Sequence, residues 1–405
     1  MNWKEIKEQL KEAVLSSIDF SKENTEDEIF EIIDEQIVIA AKKQQIGMDD
    51  RLRMRRELFS SLRQLDILQE LVENPDITEI MVNGTQNIFV EQNGHIQKWD
   101  TSFDSEEKLQ DVIQQIVASC NRVVNESSPI VDARLGDGSR VNIVLNPVAL
   151  NGPILTIRKF PEEPISMEKL MEFGSLTEEV SDFLRRLVRA RYNIMVCGGT
   201  GSGKTTFLNV LSNFIPEEER IITIEDSAEL QIHGVPNLVS LETRNANVEG
   251  CREISIRELI KASLRMRPDR VIVGEVRGSE AIDMLQAMNT GHDGSMSTGH
   301  ANSAKDMLNR LETMVLMGMP LPLEAIRGQI ASGIDIIVHL GRLRDKSRKL
   351  LQIMEVIGME HGEIILSPLY LFEEKGERNG RIIGTHKQVN ELVHKEKLDA
   401  AGIRL

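Results

Sequence analysis

The stretch NIMVCGGTGSGKTTFLNVLSNF (residues 193–214) decides the fold. It opens with the apolar run Ile194, Met195, Val196 and Cys197, which reads as a buried strand. It closes with Phe207, Leu208 and Leu211, which give the following helix one apolar face. Between them Gly198, Gly203, Lys204 and Thr205 satisfy GxxxxGK[ST], the spacing of a phosphate-binding loop. Gly198, Gly199, Gly201 and Gly203 let backbone N–H groups close around phosphate oxygens without a Cβ in the way. Thr200, Ser202 and Thr206 complete the nucleotide-binding segment. The helix opening at Lys204 points its positive end at the same anion. Lys204 is placed to neutralise the β and γ phosphates of ATP, and the Thr205 hydroxyl to ligate Mg²⁺. The bland alternative, a glycine-rich turn that binds nothing, is disfavoured by the strand and helix on either side.

A chain of 405 residues can hold two or three domains and bury a sizeable core. Its three cysteines, Cys120, Cys197 and Cys251, form no CxxC pair and leave one over in any disulfide scheme, as expected of a reducing, cytosolic setting. No apolar run approaches the roughly 18 residues that span a bilayer, so a soluble protein is expected. A net charge of −16 repels nucleic-acid phosphates in general, although a local basic groove remains compatible with it.

The first 74 residues hold no proline and one glycine, Gly47, and predict several helices (residues 1–64). Thr25 with Glu28 reads as a capping box, Ile29, Ile32, Ile33, Ile37 and Ala40 or Ala41 recur at helical spacing, and Gly47 is placed to end that helix. The acidic cluster from Glu23 to Glu35 reads as a solvated face. From Pro75 short β-rich segments take over (77–84, 87–94, 139–146 and 153–160), interrupted by a helix over Ser105 to Cys120, which predicts an α+β domain over 65–160. Pro161 and Pro164 mark a linker over 161–170.

Residues 171–405 read as the phosphate-loop domain. Strand and helix patterns alternate there: strand 220–226, helix 254–266, strand 269–275, helix 279–288 and strand 294–298. This predicts βαβ units, a mainly parallel sheet and ligands at the carboxyl ends of its strands. Met307, Met314, Met317 and Met319 read as core or interface packing.

Glu275 closes the apolar strand Val271 to Val273 and is the first choice to polarise an attacking water. Its neighbour Gly274 stands where many phosphate-loop ATPases carry a Mg²⁺-holding aspartate. Glu225 and Asp226 end the preceding strand, with Glu229 one turn on. A carboxylate there, Glu225 above all, could hold Mg²⁺ or orient the nucleophile, whereas Asp226 or Ser227 could instead cap a following helix. His292 and His300 bracket a glycine-rich stretch, and His300 is favoured to contact a γ phosphate.

The segments GGTGSGKTT, IITIEDSAEL, RPDRVIVGEVRG and GHDGSMSTGHAN together resemble the Walker A, aspartate-box, atypical Walker B and histidine-box motifs of the type II/type IV secretion ATPases. PDITEIMVNG and SRVNIVLNP extend the resemblance over about residues 65–345. In wording it is nearest to the tight-adherence (Tad, or Flp) pilus assembly ATPases of the CpaF type, and the tetracysteine zinc module of the general secretion branch is absent. The resemblance implies a RecA-like α/β ATPase domain preceded by an α+β domain and a helical region. It also implies a cytoplasmic hexamer peripheral to the inner membrane, docked on a polytopic platform protein and driving pilin assembly or secretion. The glutamate of GEVRG is catalytic in that family, which matches Glu275. Arginines from the N-terminal domain reach the phosphates, and the matching positions resemble Arg140 and Arg158. The eight residues from Lys159 to Ser166 span at most about 28 Å, enough for both domains of one chain to close on a single nucleotide. A nucleic-acid motor and a slow nucleotide switch are the competing readings. The acidic charge weighs against the first, so no nucleic-acid partner is expected, and the several carboxylates near the loop weigh against the second.

Overall fold

The computed structural model describes residues 3–18, 25–44, 47–63, 65–92, 94–120, 122–160, 164–244 and 252–404. Glu23, Pro161 and Cys251 of the sequence reading lie outside them. The chain divides into two compact units, Met1–Glu162 and Glu163–Leu405.

The first unit begins with α1 (Trp3–Ser17), α2 (Glu26–Gln44) and α3 (Met48–Arg63). Ile6, Leu10 and Val14 pack with Ile29, Ile33, Ile37, Met54, Leu58 and Phe59 in a core of their own. The capping box forms: Thr25 N–H donates to Glu28 Oε2 (2.9 Å) and Glu28 N–H to Thr25 Oγ1 (3.3 Å). α2 is described as far as Gln44, and Gly47 immediately precedes α3. The Gly47 carbonyl accepts the Arg51 N–H (3.0 Å), so it opens α3.

After the short α4 (Gln69–Glu73) come β1 (Ile77–Asn83), β2 (Asn87–Gln92), β3 (His95–Lys98), α5 (Glu106–Ser119), β4 (Ile130–Arg134), β5 (Arg140–Val144) and β6 (Ile154–Arg158). The strands form an antiparallel sheet in the order β3-β2-β1-β6-β5-β4. Alternate residues such as Ile80, Val82, Val141, Ile143, Leu155 and Ile157 face Leu109, Ile113 and Ile116 of α5. The Ser105 hydroxyl caps α5 by accepting the Lys108 N–H (3.2 Å).

In the second unit α6 (Met167–Glu172) starts inside the stretch read as a linker. The Ser166 hydroxyl accepts the Lys169 N–H (3.3 Å), and Met167 and Leu170 are buried. There follow α7 (Glu178–Arg189), β7 (Ile194–Gly198), α8 (Lys204–Ser212), β8 (Ile221–Glu225), β9 (Leu238–Glu242), α9 (Ile256–Ser263), β10 (Arg270–Val273), α10 (Ala281–Asn289), β11 (Met296–His300), α11 (Ala304–Gly318) and α12 (Leu323–Gly333). β12 (Ile336–Arg342), β13 (Arg348–Glu360), β14 (Glu363–Arg378), β15 (Arg381–Gln388) and α13 (Glu396–Ala400) complete the unit.

One sheet runs β15-β14-β13-β12-β7-β11-β10-β8-β9. Its run from β12 to β9 is parallel, as the alternation of patterns predicts, and β13 to β15 are an antiparallel addition. The central strand β7 is buried on both faces. Ile194 and Val196 meet Leu184, Phe207 and Leu211 on one side, while Met195 and Cys197 meet residues such as Leu285, Leu311 and Ile330 on the other. β11 begins two residues later than the sequence predicts, because Gly294 is left-handed (φ +85°) and Ser295 Oγ is tied to the His292 carbonyl (2.7 Å). Met307 and Met314 are core, whereas Met317 and Met319 are exposed. Among the described residues no helix is long and apolar enough to cross a membrane.

At the amino ends of the parallel strands lies a buried ion pair. Arg270, fully enclosed, donates to both oxygens of Glu219 (2.5 and 2.9 Å) and to the Val188 carbonyl (2.7 Å). Arg270→Ala should destabilise the protein by about 3–5 kcal/mol in urea denaturation, because it leaves the Glu219 carboxylate in the interior with its main partner gone. A loss below about 1 kcal/mol would mean that Arg191, the other cation at Glu219, compensates.

Candidate functional site

The site forms at the carboxyl end of β7. Gly198 must be glycine, since a Cβ there would lie 2.5 Å from the Leu340 carbonyl and 2.5 Å from Ser202 Oγ. Gly201 (φ +71°) and Gly203 (φ +89°) take left-handed conformations that turn the loop back into α8. Ser202 Oγ is buried with no partner among the described residues, and Thr205 and Thr206 sit in the first turn of the helix. The loop thus has the backbone shape and the polar groups that a polyphosphate needs.

Lys204 is buried. Its ammonium donates to the Gly199 carbonyl (3.1 Å) and reaches His300 Nδ1 at 3.3 Å. His300 ends β11 and pairs in register with Gly198 on the neighbouring strand, so the ladder itself carries the histidine to the loop. Its Nε2 lies 3.1 Å from Glu275 Oε1. The Lys204 ammonium also lies 3.5 Å from Nε2, so it sits against the imidazole as a whole, while Nε2 faces the Glu275 carboxylate. Glu275 is positioned by its flanks, because the Thr298 hydroxyl donates to the Gly274 carbonyl (2.7 Å) and the Val276 N–H to the Thr298 carbonyl (2.9 Å). Lys204, His300 and Glu275, drawn from three separate motifs, therefore form one line beside the loop.

Burial lowers the Lys204 pKa from its ordinary value, against the pull of Glu275. His300 is likewise lowered, first by burial and then by the Lys204 charge, with Glu275 opposing and with Arg310 and Arg277 adding to the fall. Arg277 and Arg310 escaped the sequence reading, since nothing local marks them. Cys197 is no nucleophile: burial pushes its thiol up to about 12.

Glu225 stands in a different setting from the one its sequence position suggests. It is buried, and its carboxylate accepts the N–H groups of Glu229 (3.0 Å) and Leu230 (3.2 Å). A Cβ on Gly274 would lie 2.8 Å from Glu225 Cγ, so the glutamate occupies the space that a side chain at 274 would need. Asp226 pairs with Arg277, and no helix follows it before β9 for it or Ser227 to cap. His292 is not in the site. It precedes the amino end of β11, whereas His300 is at the carboxyl end, and its Nδ1 is 3.3 Å from the Ala287 carbonyl. Among the described residues no group of three His, Cys, Asp or Glu side chains could cage a metal. The donors at hand fit Mg²⁺ held by the Thr205 hydroxyl and phosphate oxygens, a common arrangement for this ion.

Arg140 and Arg158 belong to the first unit, where they are directly opposed on β5 and β6. In the second unit a further arginine touches the loop: Arg348 Nε, on β13, donates to the Gly201 carbonyl (2.9 Å).

An NMR titration should place the His300 midpoint below the ordinary value of about 6.5. Lys204→Ala should move it up, by removing a cation, and Glu275→Gln should move it down. Shifts of opposite sign would mean that the three groups do not form this line.

The description "Type II/IV secretion system protein" matches residues 61–387. A provisionally named conjugal transfer protein of Mycobacterium tuberculosis is 33% identical over 314 residues, covering 76% of this chain and 89% of its own. The type IV secretion system protein PtlH of Bordetella pertussis is 34% identical over 303 residues, covering 69% of this chain and 89% of its own. Among solved structures, the pilus retraction motor PilT with bound ADP aligns with a TM-score of 0.53 at 21% identity, over 84% of this chain and 87% of its own, a likeness of fold. The phosphate loop, the line from Lys204 to Glu275 and these relatives agree: the chain belongs to the type II/IV secretion system protein family.

Proposed function

We propose that the protein is a motor ATPase that binds ATP with Mg²⁺ and uses its hydrolysis to power pilus assembly or protein secretion. The observation that carries this reading is the line Lys204–His300–Glu275 beside a glycine loop shaped for polyphosphate. Lys204 supplies the buried positive charge for the terminal phosphates. Glu275 has one carboxylate oxygen occupied by His300, which leaves Oε2 to orient the attacking water and take its proton. His300, neutral and held between them, senses whether Lys204 is turned toward it or toward phosphate. Mg²⁺ supplies charge neutralisation at the phosphates, with Thr205 as its protein ligand.

The finer reading is a hexamer at the cytoplasmic side of the inner membrane, working on a membrane platform protein, and in motif wording nearest the tight-adherence pilus ATPases. Within it, Arg140 and Arg158 of a chain complete that same chain's site. A DNA-transfer motor is the second reading, favoured by the relative named for conjugal transfer.

Lys204→Ala should abolish hydrolysis and weaken ATP binding. Glu275→Gln should still bind ATP but turn over at least roughly a hundredfold more slowly, the loss typical of a positioned general base. Loss of ATP binding together with hydrolysis would make Glu275 a structural residue. A salt-sensitive acceleration by single-stranded DNA would favour the second reading.

Mixing Arg158→Ala with Glu275→Gln protein tests the arginines. Arginines acting within their own chain leave every site defective and the mixture as slow as its parts. Recovered turnover would place them in the neighbour's site.

A further inference from the structure

The hairpin of β12 and β13 sets two arginines side by side. Arg342, at the end of β12, and Arg348, at the start of β13, are directly opposed in the ladder. Such partners share a face, with Cβ atoms about 4.5–5.5 Å apart, and like charges so placed repel. Both are exposed, and no carboxylate among the described residues pairs with either. Arg344, in the turn between them, is by contrast taken up by Glu374 and Glu377. The turn is also fixed: Asp345 accepts the N–H groups of Ser347 (3.0 Å) and Ile382 (2.7 Å). A rigid hairpin therefore holds two uncompensated guanidinium groups together.

Their place is beside the phosphate loop. β12 pairs with β7 so that Leu340 faces Gly198, and the hairpin's next residues run on past the strand end where the loop begins. Arg348 Nε is engaged with the Gly201 carbonyl, and its Cδ lies 3.6 Å from where a Cβ on Gly203 would be. The contact spends one donor and leaves the terminal nitrogens, the forked part of the group, without a partner among the described residues.

Sheet order gives the direction. His300, on β11, and Glu275, two residues past the end of β10, lie on one side of β7, and the hairpin lies on the other. At about 4.8 Å per strand, β13 and β10 stand about 19 Å apart, a gap that the shorter polyphosphate chain bridges with the long arginine and glutamate side chains reaching in from either side. The terminal phosphate belongs at the Glu275 side, so the hairpin faces the inner, α-phosphate end of that chain. We infer that Arg342 and Arg348 form a second anion subsite, within the same unit as the loop, that holds the α-phosphate end of the nucleotide. The inference rests on the ATPase reading and adds to it a pair that sets affinity and not the chemical step. ATP and ADP both carry that phosphate, so its loss weakens both alike.

The test uses the full chain as wild type, Arg342→Ala, Arg348→Ala and the double variant, with ADP as the probe in calorimetry and in thermal unfolding. ADP affinity should fall roughly tenfold for each single variant and further for the double, and the rise in Tm caused by ADP should shrink in step. KM for ATP should rise likewise, with kcat within about twofold of wild type. The ligand-free double variant should melt no lower than wild type, since a repulsive pair has been removed. Arg348→Lys, which keeps the charge and loses the fork, should fall between wild type and Arg348→Ala. Unchanged ADP affinity in the double variant, beside a wild type that binds ADP, would overturn the subsite alone, as would a fall in kcat at constant ADP affinity. A wild type that binds no ADP would overturn the ATPase reading and the subsite together.

Discussion

Gly198 has room for a hydrogen atom and nothing more. The Leu340 carbonyl closes one side and the Ser202 hydroxyl the other, each 2.5 Å from where a Cβ would be. The same residue is the register partner of Leu340 on β12 and of His300 on β11. Two positions more than a hundred residues further along the chain therefore meet at this one glycine. A side chain there would push the strands apart and turn the loop, and with it would go the contact between Lys204 and His300. The close packing of parallel strands around this position sets the geometry that the chemistry then uses.

Gly274 and Glu225 make a second, dependent pair. Glu225, at the end of β8, is buried with its carboxylate bound to two backbone N–H groups, a setting that holds a charged group in the interior at little cost. It holds the segment leaving β8 and fills the volume next to the end of β10. A side chain at 274 would collide with it. The carboxylate available to the loop is consequently the next one along the chain, Glu275, which the Thr298 contacts aim toward His300.

The loop was legible in the sequence because its requirements are local: glycines where φ is positive, a lysine at the first helical position and an apolar strand before it. The parallel sheet was legible because strands buried on both faces read as continuous apolar runs. The buried setting of Glu225 was not legible, since whether a carboxylate at a strand end turns inward or outward depends on what the neighbouring strand leaves open. The sequence already favoured His300 over His292, and the start of β11 supplies the physical reason. Gly294 delays that start, and the five-residue strand then puts His292 before its amino end and His300 at its carboxyl end. The antiparallel addition gave little signal either. β14 runs for 16 residues, yet only Leu369 and Tyr370 in it are buried, so it lacks the alternation that marks a strand. Arg348 was hidden for the same reason, since its place beside the loop depends on a pairing between segments that sequence spacing does not reveal.

A net charge of −16 weighs against binding of polyphosphate in general, and on the proposed reading the local placement of arginines offsets it. In the first unit the ladders align Glu79, Arg158, Arg140 and Arg134 in one row across four strands, three cations to one carboxylate. In the second, Arg342 and Arg348 stand opposed at the loop. The opposition of Arg342 and Arg348 is unfavourable in itself and is not needed to bury apolar surface, because it lies at strand ends outside the core. Fields from the distant acidic surface are screened over about 8–10 Å at ordinary ionic strength, so an approaching phosphate responds chiefly to the charges nearest it. Overall acidity then discourages long polyanions, which must lie along much of the surface, while a compact polyanion such as a nucleotide meets only a local concentration of guanidinium and ammonium groups.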